Sequence, residues 1–202
     1  MHGEAWEIIT GACLGIGLAA ACGFRVFVPL LFVSIAVRAD YVQLSPGWEW
    51  VGSIPALITF ATATGLEIAA YYVPWIDHLL DTIAAPVAVV AGTVVTAACI
   101  GDIHPMLKWT LAIVAGGGSA AAVQALTTTA RVVSTAATGG LGNPLVATAE
   151  AGAAVGLSTL AVFLPVAALA VVVVLVIYSV RFVWRRVFAP AEAPAVPQQP
   201  LA

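Results

Sequence analysis

Four side chains able to handle protons or cations, Glu67, Asp77, His78 and Asp81, fall inside a stretch that is otherwise as apolar as lipid, TATGLEIAAYYVPWIDHLLDTIAAPVAVVAG at 62–92. An ionisable group in such surroundings is expensive to maintain and is by default a candidate functional site. Pro74 cannot continue a preceding helix but suits the first turn of a new one, so a helix is expected to start at Pro74 or Trp75. On that helix Asp77 and Asp81 are four residues apart, one turn apart on one face. Two carboxylates that close in a low dielectric repel, so one holds a proton near neutral pH or both share a cation, an arginine or a proton. Asp77 also fits a plainer role, as an acid favoured by the dipole at a helix start; Asp81, one turn deeper, is the stronger functional candidate. His78 points roughly 100° away from Asp77, and no second His or Cys completes a metal site. Glu67 must be protonated or paired. Arg25, midway along the first apolar run, is the expected partner, either as a lock between helices or as a substrate contact.

The second half of the chain offers Gln124, Thr127, Thr128, Thr129, Arg131, Ser134 and Thr135, then Gly139-Gly140-Leu141-Gly142-Asn143-Pro144 and Glu150. Asn143 is a good N-cap and Pro144 a good first helical residue, so backbone amides at that helix start are candidates to hold an anion. Gly11, Gly15 and Gly17, and Gly116-Gly117-Gly118-Ser119, are small faces that let spanning helices approach closely. Phosphate loops, nucleophile elbows, metalloprotease and dinucleotide motifs are all missing, so the site residues call for no metal and no cofactor. No residue is assigned a catalytic role.

These residues need elements to hold them, and composition says which kind. Of 202 residues 62% are hydrophobic and 8% charged, against roughly 25% charged in a soluble domain. The reading is an all-α, polytopic helical membrane bundle whose first partner is the lipid bilayer. The net charge of -3 offers nothing to nucleic acid. Cys13, Cys22 and Cys99, odd in number and set in apolar runs, read as small packing residues.

Cut at Pro, Gly and charged punctuation, the chain gives about six transmembrane helices, at 8–37, 52–72, 75–100, 106–131, 144–163 and 166–187. The six tryptophans all fall at the ends of these runs, the headgroup level that Trp favours. The run 144–187 must break near Pro165, because one helix that long would measure ~66 Å, about twice the hydrocarbon core. Residues 1–188 form a single transmembrane domain, and 189–202 an Ala/Pro-rich tail expected to be disordered. Arg181, Arg185 and Arg186 place the C-terminus in the cytoplasm. An even number of spans then puts the N-terminus there too, in the inner (plasma) membrane.

A faint echo divides the chain into halves, 8–100 and 106–187. Thr62-Ala-Thr-Gly leads through Pro74 to Asp81, and Thr135-Ala-Ala-Thr-Gly leads through Pro144 to Glu150. Three spans per half, with proline-broken helices, would give two inverted three-helix repeats, a transporter layout.

Three segments, GLAAACGFRVFVPLL at 17–31, TATGLEIAAYYVPWIDHLLDTIAAPVAVVAG at 62–92 and TTTARVVSTAATGGLGNPLVATAEAGAA at 127–154, together resemble a bacterial family of small multi-spanning membrane proteins. That family is known only as a domain of unknown function, DUF4126. The resemblance implies an integral membrane protein of unassigned activity and carries over no functional residue. The expected function is a small-solute or ion transporter or channel. Its binding residues are Arg25, Glu67, Asp77, Asp81, Arg131, Asn143 and Glu150, acting on a small solute, an ion or a proton. The alternatives are a membrane-embedded enzyme using Asp77 and Asp81 as acid and base, and a non-catalytic scaffold that assembles as a homo-oligomer through its glycine faces.

Overall fold

Proline and glycine set the element boundaries. In the computed structural model, which describes the backbone of residues 2–72 and 74–187 and the side chains of 5–72 and 83–185, the chain is all-α. The elements are α1 (His2–Cys22), α2 (Phe27–Arg38), a 3-10 turn (Glu49–Gly52), α3 (Ile54–Ala70), α4 (Pro74–Cys99), α5 (Pro105–Leu111), a π-helical stretch (Ala112–Gly117), α6 (Gly118–Thr138), α7 (Asn143–Phe163) and α8 (Pro165–Val187). The run from α5 through α6 is one continuous helix, Pro105–Thr138, so the described residues form seven helices. Asp77, His78 and Asp81 belong to α4, but their side chains lie outside the described residues, as does the tail 189–202.

The first expected span, 8–37, is not one helix. It breaks at Gly23–Val26 between α1 and α2. In an unbroken helix the ring of Pro29 would collide with the carbonyl of Arg25, four residues back; placed in the first turn of α2 instead, it is tolerated. The expected break at Pro165 is present, with Leu164 out of helical conformation between α7 and α8.

α1 is the hub. It packs on α4, α6, α7 and α8, and Leu18 through Cys22 are completely buried. Glycine makes this possible. A Cβ on Gly15 would sit 2.8 Å from Thr96 Cα, and one on Gly17 would sit 2.8 Å from Ala161 Cβ. The closeness lets Thr96 Oγ1 donate to the Gly15 carbonyl at 3.1 Å across the α1–α4 seam. The π stretch does the same for α4, bringing Gly116 against Thr96 and Gly117 against Thr93. Cys13, Cys22 and Cys99 are free thiols packed inside.

The outside is as apolar as the inside, where small apolar residues dominate and a few polar groups are enclosed, unlike a protein surrounded by water. The most hydrophobic segment, Pro165–Arg185 with mean hydropathy 2.6, has only 17% of its residues buried. Leu66, Val114, Val174 and Leu145 are each about two-thirds exposed or more. By length and composition, Ala5–Cys22, Pro105–Thr138, Asn143–Phe163 and Pro165–Arg185 can each cross a membrane, and α2, α3 and the stretch Ile83–Cys99 are shorter apolar helices.

The loops sort to two ends. Glu7 and Thr10 at the start of α1, the loop 40–46, Gly101, Asp102 and Pro165 surround one polar basin. In that loop region the Glu49 carboxylate accepts its own amide and that of Gly47, which hold it below the usual carboxylate range. α1 and α8 leave the basin side by side, Gly17 lying against Ala168. The end of α8 therefore sits at the opposite end of the bundle from the start of α1. The expectation that both termini share a side rested on an even number of spans; the described residues form seven helices, four of them long and apolar enough to cross a membrane.

Candidate functional site

The break between α1 and α2 carries a side chain into the interior. Gly23, Phe24 and Arg25 still donate their amides to Ala20 and Ala21, and the chain then turns back as α2. Arg25, at the tip, is 2% exposed. Its Nη2 donates to the Ala147 carbonyl at 3.0 Å and lies 3.3 Å from Glu150 Oε2, so the hairpin tip is tied to α7.

Glu150 also accepts Arg131, from Nε at 3.0 Å and from Nη2 to the other oxygen, a two-point contact that clamps α6 to α7. One carboxylate thus serves two guanidiniums. Both guanidiniums lie against the Tyr71 ring, with Arg25 Cζ 3.6 Å and Arg131 Cζ 4.3 Å from its centroid. Stacking a cation on a desolvated aromatic face contributes about 2 kcal/mol, offsetting part of the cost of removing it from water.

Glu67 does not pair with Arg25 as expected. Its carboxylate accepts the amide of Val26 at 2.8 Å on Oε1 and that of Phe27 at 3.0 Å on Oε2. These are the unpaired donors at the start of α2, so a glutamate from α3 caps a helix more than forty residues earlier in the chain. Tyr71 follows one turn after Glu67, its amide bonded to the Glu67 carbonyl, so Arg25 on Tyr71 and the α2 amides on Glu67 occupy adjoining turns of one α3 face.

The structure therefore brings Arg25, Glu67, Arg131 and Glu150 together. Asn143 takes a different place. α7 begins at Asn143 with Gly142 in the capping position, and the Asn143 amide nitrogen donates to Thr135 Oγ1 at 3.2 Å. The backbone amides of Asn143, Leu145 and Val146 are bonded to the carbonyls of Gly140 and Gly142, so this helix start does not offer them to an anion. Asp77 and Asp81 lie outside the described side chains. Two participants escaped the sequence reading. Tyr71 carries a signal in hindsight, its spacing of four from Glu67. The Ala147 carbonyl, a backbone group, carries none.

Among the described residues, the fully buried charged groups are Arg25, Arg131 and Glu150, and the half-buried Glu67 brings the cluster to two guanidiniums and two carboxylates, so its charge balances. The donors do not. Arg25 Nε and Nη1 are enclosed without a hydrogen-bond partner, as are Thr64 Oγ1 and Ser158 Oγ. An unmade bond of this kind costs about 1–3 kcal/mol, more on a charged group.

Fold and cluster together define a class: a polytopic, membrane-type helical bundle with a charge-balanced arginine–glutamate cluster inside it. Residues 12–185 match the family model described as Domain of unknown function (DUF4126), and the chain belongs to that family. No curated protein and no solved structure matches the chain.

Proposed function

We propose that this protein is a small-solute or ion transporter or channel whose binding site is the buried cluster of Arg25, Glu67, Arg131 and Glu150. The observation that carries the reading is Arg25, enclosed in an apolar bundle with Nε and Nη1 unpartnered. A charged group held at that cost, at a helix break, is where membrane proteins place a passing solute. Arg131, engaged at two points by Glu150, is the fixed part of the site; Arg25 is the part with valence to spare. Asp77 and Asp81, from the sequence, belong to the same path as proton or cation carriers. In this reading Arg181 and Arg185 favour a cytoplasmic end of α8, and the start of α1, at the other end of the bundle, faces the opposite side.

Proteoliposomes containing the full chain, exposed to inward gradients of formate, phosphate, chloride and potassium salts, should show swelling or an internal pH change that protein-free vesicles lack. Arg25→Gln should remove it while the variant still elutes as a folded particle. Flux unaltered in Arg25→Gln and in Glu150→Gln would dismiss the cluster as the pathway.

A further inference from the structure

We infer that the start of α2, together with Arg25, is a binding site for a small monocarboxylate, that Glu67 holds the substrate's place in this structure, and that a proton on Glu67 vacates it. The inference rests on the cluster being the solute site and adds the solute's class and its coupling ion.

The occupied contacts set the shape. The two oxygens of one planar carboxylate each take one amide, Oε1 from Val26 and Oε2 from Phe27, at 2.8 and 3.0 Å. A second carboxylate fits the same pair of donors, one oxygen to each amide. The second and independent observation is the side chain just before those amides: Arg25, 2% exposed, with Nε and Nη1 unpartnered, stacked on the ring one turn along from Glu67.

The charge count sets the sign and size. With Glu67 ionised, the four groups sum to zero. A proton on Glu67 leaves Arg25 and Arg131 against Glu150 alone, an excess of one positive charge in an apolar interior. An incoming monoanion restores neutrality, whereas a cation doubles the excess and a dianion overshoots it. Protonation also makes one Glu67 oxygen a donor and removes the carboxylate charge, so its hold on the two amides weakens. The exchange forms one covalent bond, the O–H of protonated Glu67, with a proton supplied by solvent; one proton and one carboxylate enter together and no net charge moves.

The titratable and charged groups around Glu67 are Cys22 on α1, Arg25 at the break, Tyr71 on α3, Arg131 on α6 and Glu150 on α7, with Arg38 and Glu49 at the far end of its α2 and 3-10 turn neighbours. The acids of α4 lie outside the described side chains, and Glu67→Gln separates the Glu67 contribution from theirs.

Formate, which stays ionised throughout, is titrated calorimetrically into the full chain in lipid nanodiscs at about pH 5.5 and about pH 7.5. The wild type should bind more tightly at the lower pH, by up to about tenfold per unit, with one proton taken up per formate as read from buffers of different ionisation enthalpy. Glu67→Gln should bind with the same dissociation constant at both pH values, and Arg25→Gln should not bind. If Glu67→Gln does not fold, the wild-type proton uptake decides alone. Binding without proton uptake, affinity that falls toward low pH, or undiminished binding by Arg25→Gln overturns the inference. Proton-linked formate binding in a protein that moves nothing across liposomes overturns only the transport reading. Protein-dependent flux of another solute, with no proton-linked formate binding, overturns only this inference.

Discussion

Glu150 is the residue whose loss the cluster tolerates least. It compensates Arg131 at two points and Arg25 at one, and all three side chains are nearly inaccessible to water. Glu150→Gln leaves both guanidiniums opposed by Glu67 alone, and breaking a buried pair in this way costs about 3–5 kcal/mol. Adding Arg131→Gln restores equal numbers of positive and negative groups among the four, so the double variant should melt above the single one in detergent. A double variant less stable than Glu150→Gln would show that Arg131 contributes more through Tyr71 and its other contacts than through charge. At this scale the sequence was informative about membership. Arg25, Glu67, Arg131 and Glu150 stand out because hydrocarbon leaves an isolated charge so few solutions. Pairing was not legible. Arg25 and Glu67 are adjacent in the fold, but Glu67 is taken up by the α2 amides and Arg25 by the Ala147 carbonyl and Glu150, and no residue pattern encodes a glutamate that caps a distant helix.

Helix approach is governed by a few glycines, and their environments differ enough to test. Gly15 faces the α4 backbone, with Thr96 Cα 2.8 Å from where a methyl would go, whereas Gly65 on α3 has nothing within 4 Å. Gly15→Ala should force α1 away from α4 and break the Thr96 contact, lowering the thermal midpoint strongly or preventing folding. Gly65→Ala should be neutral or stabilising by about 0.5–1 kcal/mol, the ordinary helix preference for Ala over Gly. Equal effects at the two positions would contradict the hub role of α1. The glycine faces could be read in the sequence because small residues at helical spacing have one main use between spanning helices. The break at Gly23–Val26 went unread, since apolar continuity across 8–37 hid what Pro29 does to the turn before it. That hidden break is also what positions Arg25. The seven helices do not by themselves confirm a repeat of three plus three, and its two arginines differ, Arg25 at a break and Arg131 within α6.

Across the whole molecule, the start of α1 and the end of α8 lie at opposite ends of the bundle. Glu7 borders the basin formed with Gly101, Asp102 and Pro165, while Arg185 lies some twenty residues along α8, about 30 Å away at 1.5 Å per residue. A bilayer with a hydrocarbon core of about 30 Å fits between these levels. The tryptophans agree: Trp6, Trp50 and Trp109 are exposed near the basin end and Trp184 near the other, so each reaches a headgroup layer. Single cysteines introduced at Glu7 and at Arg185 should therefore react with a membrane-impermeant maleimide from opposite faces of the membrane. Background should be low because Cys13, Cys22 and Cys99 are buried. With the basic end of α8 in the cytoplasm, the cysteine at position 185 should label only in inverted or permeabilised vesicles and the one at position 7 in intact cells. Labelling of both from one face would contradict the parallel course of α1 and α8 away from the basin; counting α1 and α2 as one re-entrant hairpin would leave five crossings and keep the two positions on opposite faces.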